Sequence, residues 1–189
     1  MKRRQGFSLA GILLSISLLC PACGNLDGPK PEDKFYCKVN GKHWRPNSDG
    51  DFKAHTLLSE LTYQGKTIYI RAIDNKIDQT ISMIIADTMG IDTTNGVKTF
   101  TISVNSMYPN SPPAGHFYKP ESEGSVKEIA YSTSATHKGT FRILSIEHDP
   151  RRQSSFKMKA EFEFTAVSPS GDVVKITDGN FNDWVEIRQ

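Results

Sequence analysis

An all-β fold, an antiparallel β-sandwich or barrel-like domain, is what the sequence predicts, and three observations predict it. Apolar and polar residues alternate with period two in several short runs, as strands do when one face meets a core and the other meets water. Segments rich in Gly, Asn, Asp, Ser and Pro punctuate those runs at regular intervals. The clearest run is Phe156 to Thr165, where Phe156, Met158, Ala160, Phe162 and Phe164 share one face and Lys157, Lys159, Glu161 and Glu163 the other.

The chain opens differently. Met1-Lys2-Arg3-Arg4 is basic and Phe7 to Leu19 is apolar apart from three serines, which are the charged and hydrophobic regions of a signal peptide. As a helix this apolar stretch reaches only about 20 Å, against a hydrocarbon core of ~30 Å, so it is expected to be cut or anchored rather than to span. In Ala22-Cys23-Gly24 a small residue precedes a cysteine, the arrangement at which bacterial lipoproteins are cleaved and acylated. Cys20 fits less well because bulky Leu19 precedes it. Residues 1–22 therefore read as a signal peptide, Cys23 as the lipid anchor and residues 23–34, dense in Gly, Pro and charge, as a flexible tether. Plain secretion and a retained anchor helix are the alternatives. Residues 35–189 are expected to form one domain.

Within that domain Phe35 to Val39 alternates, Asn40-Gly41 supplies two residues that tolerate positive φ, and Lys42 to Arg45 returns before Pro46, a β-hairpin pattern. Ala54 to Leu61 is the one stretch that reads as a helix, of a turn or two. Further strands are expected at Ile68, Ile70 and Ala72, at Ile81, Met83 and Ile85, and at Phe100, Ile102 and Val104. Asp178 to Asp183 reads as a turn between two final strands. A calcium loop there is disfavoured, because Asp183 stands where such a loop needs glycine and Gln189 where it needs glutamate.

Composition narrows the function classes. Cleavage before Cys23 removes Lys2, Arg3 and Arg4 and no acid, taking 23 basic residues to 20 against 21 acidic ones and the formal charge from +2 to −1. A near-neutral mature chain lacks the clustered basic face that nucleic acids require. With Cys20 removed and Cys23 acylated, Cys37 is left alone, so no disulfide staples the domain and its stability is expected to come from packing. Cys37 itself reads as a small buried apolar side chain on a strand.

Phe35, Cys37, Val39-Asn40-Gly41-Lys42 and Trp44, then Gly139 to Ile143, Ala160 to Phe164 and Gly171 to Phe181, resemble a family of small Bacteroidetes lipoproteins of unknown function, over about residues 35 to 183. Met158-Lys159-Ala160 stands where that family has Ser-Gly-Thr, and Trp184 to Gln189 runs past its usual end. The resemblance implies an all-β domain on a lipid anchor and brings no catalytic residues; the expected location of the exported chain is the outer membrane, on its periplasmic face or at the cell surface.

No hydrolase elbow, zinc helix or phosphate loop is present, and the five histidines, His43, His55, His116, His137 and His148, read as solvated. The expected function is a non-enzymatic envelope accessory with no cofactor and no metal, bound to the membrane and holding a glycan or an amphiphilic small molecule. The alternatives are a structural, adhesion or assembly protein acting through a sheet edge or apolar patch, and a hydrolase. Tyr108, Phe117 and Tyr118, in or beside the Pro-rich stretch Met107 to Pro120, are ligand-binding candidates because aromatic rings stack on sugars; core or loop packing is the competing role. Asp87-Thr88-Met89 and Asp92-Thr93-Thr94 resemble the O-glycosylation sequon of exported Bacteroidetes proteins, which makes Thr88 and Thr93 glycosylation candidates.

Overall fold

The structure, a computed structural model, describes residues 34–47, 56–62, 64–94, 97–104 and 112–188. The described residues hold eleven strands and no helix: β1 (Phe35–Val39), β2 (Lys42–Trp44), β3 (Leu57–Thr62), β4 (Thr67–Asp74), β5 (Gln79–Ala86), β6 (Lys98–Ile102), β7 (Ala114–Pro120), β8 (Glu128–Ser132), β9 (Gly139–Glu147), β10 (Ser155–Val167) and β11 (Val173–Ile187). The all-β expectation holds.

β10 and β11 form a long antiparallel hairpin, paired from Ser155↔Glu186 to Val167↔Val173, and four other strands, β1, β3, β8 and β9, pair directly with it. Along the free edge of β11, β1 pairs near the hairpin turn and β3 near the far end. Along the free edge of β10, β9 takes most of the length and β8 joins at Val167↔Ser132. One layer is therefore β2-β1-β11-β10-β9-β6 and the other is β3-β4-β5-β7-β8, and the two layers share strand pairings at diagonally opposite corners. The ring β11-β3-β4-β5-β7-β8-β10 closes on itself, so the molecule is a sandwich whose corners are sewn into a barrel. Closure removes sheet edges that water or another chain would otherwise have to satisfy.

The expected pairing was antiparallel throughout, but the β11–β3 corner is parallel, at Glu186↔Glu60 and Ile187↔Leu61. A second departure lies in the same place: Leu57 to Leu61 is the strand β3, not a helix, while residues 54 and 55 lie outside the described residues. Leu57, Leu58 and Leu61 have helical spacing, but β3 is hydrogen-bonded to β4 along its length and docked on β11, and tertiary pairing outweighs a short local preference. Ser59 turns inward there and its hydroxyl donates to the Trp184 carbonyl at 2.6 Å. A third corner is tied by one buried hydroxyl. Thr133 Oγ1 donates to the Val104 carbonyl at 2.6 Å and accepts from the Gly115 amide at 3.1 Å, joining the chain after β6 to β7 and β8.

The core lies between the layers. β10 contributes Phe156, Met158, Ala160, Phe162, Phe164 and Ala166, all buried, and its outward Lys159, Glu161 and Glu163 are exposed, as the alternation predicts. β4 and β5 face it with Ile68, Ile70, Ala72, Ile81, Met83 and Ile85. The expected hairpin is β1–β2, its turn made by Asn40 at φ 50° and Gly41 at φ 80°. Cys37 is fully buried in this core, and burial pushes its thiol far above the ordinary cysteine range, so the small apolar role fits and a thiolate nucleophile does not.

Candidate ligand-binding face

The outward face of the six-stranded layer is built by register. Residues directly opposite one another on neighbouring strands point the same way, so two rows of side chains cross the layer. One runs Tyr36, Asn180, Glu161, Arg142 and Thr99 from β1 to β6. The other begins with His43 and Lys38 on β2 and β1, reaches Thr177 on β11, and continues with Glu163, Thr140 and Thr101 on β10, β9 and β6.

Between the rows β11 carries one residue more than its neighbours. Phe162 and Phe164 of β10 oppose Gly179 and Ile176, and Tyr36 and Lys38 of β1 oppose Asn180 and Thr177, so the extra residue falls between Ile176 and Gly179. This is a β-bulge, with Asp178 in the left-handed region at φ 52°. It corrects the expectation of a turn over Asp178 to Asp183: the whole segment is inside β11. Gly179 is required beneath the bulge, because a Cβ there would lie 2.5 Å from the Phe162 ring and 2.5 Å from the Phe162 carbonyl oxygen. The bulge sharpens local twist and puts a hollow of about 660 Å³ on the outer face, with Glu163, Arg142, Asn180, Lys38 and His43 among its lining residues.

Two ion pairs are built into the hollow, Lys38 to Asp178 at 2.7 Å and Arg142 to Glu161 at 2.5 Å. The side chains of Tyr36, His43, Thr99, Thr140, Glu163 and Asn180 find no hydrogen-bond or ion-pair partner among the described residues. A concave surface with that many free donors and acceptors suits a polar ligand. Reading the sequence missed all of them, since exposed polar residues at alternate strand positions look like ordinary solvated faces. The six unpartnered residues sit on six different strands, β1, β2, β6, β9, β10 and β11, so they come from distant parts of the chain.

The residues singled out from the sequence are dispersed. Cys23, Tyr108 and His55 lie outside the described residues. Phe117 is 2% exposed and packs in the core against Tyr131, with ring centroids 5.8 Å apart. Tyr118, its neighbour on β7, therefore points to the opposite face, where burial pushes its phenol pKa up and the nearby Ser82 hydroxyl partly offsets that rise. The two rings cannot form one wall.

His116 corrects the picture of solvated histidines: it is 1% exposed, its Nδ1 is 3.0 Å from Ser132 Oγ and its ring stacks on Tyr118. His43 and His148 are exposed and His137 is half-buried. Among the described residues no group of three or more His, Cys, Asp or Glu is arranged to hold a metal ion.

Thr88 is exposed and Thr93 half-buried, in one segment whose turns are capped by the sequon aspartates. Asp87 accepts from the Met89 amide and Asp92 from the Thr94 amide. His148 Nε2 donates to the Thr93 carbonyl at 2.6 Å. The Lys98 ammonium against Asp87 holds that carboxyl below the usual aspartate range. A second hollow, of about 560 Å³, lies between this segment, β6 and Pro112-Pro113. No helix among the described residues is long and apolar enough to cross a membrane. Compared with family models, curated proteins and solved structures, the chain matches none.

Proposed function

We propose that the chain is an exported lipoprotein, anchored through Cys23 at the outer membrane, that binds a glycan or another polar small molecule on the concave face of its six-stranded layer and carries out no chemistry on it. The observation that carries this reading is the 660 Å³ hollow at the β11 bulge, six of whose lining polar side chains have no partner among the described residues. The charged and apolar regions of residues 1–22 and the small residue before Cys23 support the anchor, and the resemblance to small Bacteroidetes lipoproteins belongs to the same proposal. Binding without chemistry is supported by the state of the reactive groups in the lining: Cys37 is buried, and Asp178 and Glu161 are held in ion pairs by Lys38 and Arg142, which leaves Glu163 without a second free carboxylate to act as its acid or base partner.

A ligand screen by thermal shift on the full chain in detergent tests the binding half. Glycans should raise the melting temperature, and Arg142→Ala with Asn180→Ala should abolish the rise. An unchanged melting temperature across the screen, or turnover of a glycan, would end the reading. Cys23→Ala should move the protein from the membrane to the soluble fraction. Thr88 and Thr93 remain proposed glycan acceptors, testable by the mass lost in a Thr88→Ala, Thr93→Ala variant.

A second reading, an assembly or adhesion module, is favoured by one observation. Met89 is 90% exposed and, with Val97, Ile91 and Phe100, lines a hollow of about 360 Å³. Concentration-dependent association that a Met89→Lys substitution prevents would select it.

A further inference from the structure

Accepting the concave face as a binding site, its charges and its dimensions narrow the ligand class, and we propose that the ligand is a neutral, linear oligosaccharide laid across the strands, with Glu163 as the residue that selects it. The two fixed cations of the hollow, Lys38 and Arg142, are each already neutralised by an acid of the same face, Asp178 and Glu161. An anionic ligand must break one of those pairs and then lie against the unpaired carboxylate of Glu163, so like charge opposes it. A cationic ligand finds Glu163 as its single free acid in the lining, since Asp178 and Glu161 are held by Lys38 and Arg142, and it leaves the hydroxyls of Thr99, Thr140 and Tyr36 unused. An amphiphile finds little to bury its tail against, because Cys37 and Phe162 line the hollow from beneath its surface and are themselves buried, which leaves Tyr36 as the accessible phenyl ring.

Sugar hydroxyls suit the remaining groups. A hydroxyl both donates and accepts, as do the free side chains of Thr99, Thr140, Tyr36 and Asn180. Glu163 only accepts, and a charged acceptor makes the stronger hydrogen bond. The row from Tyr36 to Thr99 spans five strands, and four steps of ~4.8 Å make it about 19 Å long. That length takes several sugar rings end to end and presents a new pair of side chains at each strand.

Calorimetric titration of the full chain in detergent, with neutral hexasaccharides of β-linked glucose or xylose and with a galacturonate hexamer of matched length, tests the proposal. A neutral hexasaccharide should bind, shorter homologues should bind progressively less tightly, and the galacturonate should not bind measurably. Glu163→Gln, which keeps the side chain's size at an exposed position, should weaken the neutral ligand by about tenfold or more, as loss of a hydrogen bond to an ionised acceptor does, with an unchanged melting temperature. Galacturonate binding as tight as the neutral sugar's, affinity independent of chain length, or a Glu163→Gln variant that binds like the parent would each overturn the neutral-oligosaccharide assignment and leave the face a binding site. Absence of binding by every oligosaccharide would overturn that assignment together with the glycan half of the reading beneath it.

Discussion

β10 and β11 lie side by side over nearly their whole length, and they solve the same packing problem in different ways. β10 alternates without interruption: Phe156 to Ala166 go inward at every second position and the lysines and glutamates between them go outward. β11 holds Val174, Ile176, Phe181 and Val185 inward but slips by one residue after Ile176, so that Thr177 and Asp178 both fall between the inward Ile176 and Gly179. The regular strand supplies the core and the irregular one shapes the surface. The bulge also opens room on the inside, since Phe162 of the regular strand lies across Gly179 of the irregular one. Core and candidate site are thus two sides of one contact.

The contact can be broken from either strand. Phe162→Ala should have the largest effect, a loss of ~3 to 5 kcal/mol, the range for truncating a large aromatic in a packed core. The ring is 3% exposed and also meets Phe35 at 5.1 Å between centroids, so its removal empties the space between three strands. Gly179→Ala comes next, at about 1 to 3 kcal/mol, because the added methyl group must displace the same ring or the Phe162 backbone. Denaturant unfolding measures both. In the double variant the methyl group fills part of the space the ring leaves, so the combined loss should fall short of the sum by at least ~0.5 kcal/mol. Strict additivity would show that the two strands do not meet as described.

Smaller effects separate the bulge's outer side from its inner one. Asp178→Gly should shift stability by less than about 1 kcal/mol, since relief of a left-handed backbone offsets loss of the exposed pair with Lys38. A loss as large as that of Gly179→Ala would mean that the Asp178 side chain, and not the glycine, holds the bulge. Glu163→Ala should do least, under about 0.5 kcal/mol, because its side chain is exposed and unpaired. Equal losses at Phe162 and Glu163 would overturn the inward and outward assignment of β10.

What the sequence made legible follows the same division. Period-two runs marked β1, β4, β5, β6 and β10, and Asn40-Gly41 marked the first hairpin, because each is a local pattern with a local cause. β3 was misread because Leu57, Leu58 and Leu61 carry no period-two signal, and their strand state depends on partners at Ile68 to Ala72 and at Ile187. The bulge was hidden for a related reason: Thr177-Asp178-Gly179 reads as a turn, and only hydrogen bonding on both sides keeps it inside a strand. Phe117 and Tyr118 were grouped by sequence proximity, but as neighbours on β7 they face opposite ways, so only one of the two can meet a given ligand. The hollow was not legible at all. Its rows exist only once register has placed Tyr36 beside Asn180 and Glu161 beside Arg142.

The parallel corner has a consequence for how the molecule is made. Among the described strands β1 and β3 are synthesised before most others, and the strand that receives them both, β11, follows all ten. Phe35 waits for Phe181, and Glu60 waits for Glu186. Pairings that distant in sequence are slow to form, and until β11 arrives the edges of β1 and β3 are open to any other extended chain. A ribosome that stops before Trp184 releases a polypeptide with most of its strands, no carbonyl for the Ser59 hydroxyl and no partner for the edge of β3. Its closure, and its protection from aggregation, depend on the stretch from Trp184 to Ile187.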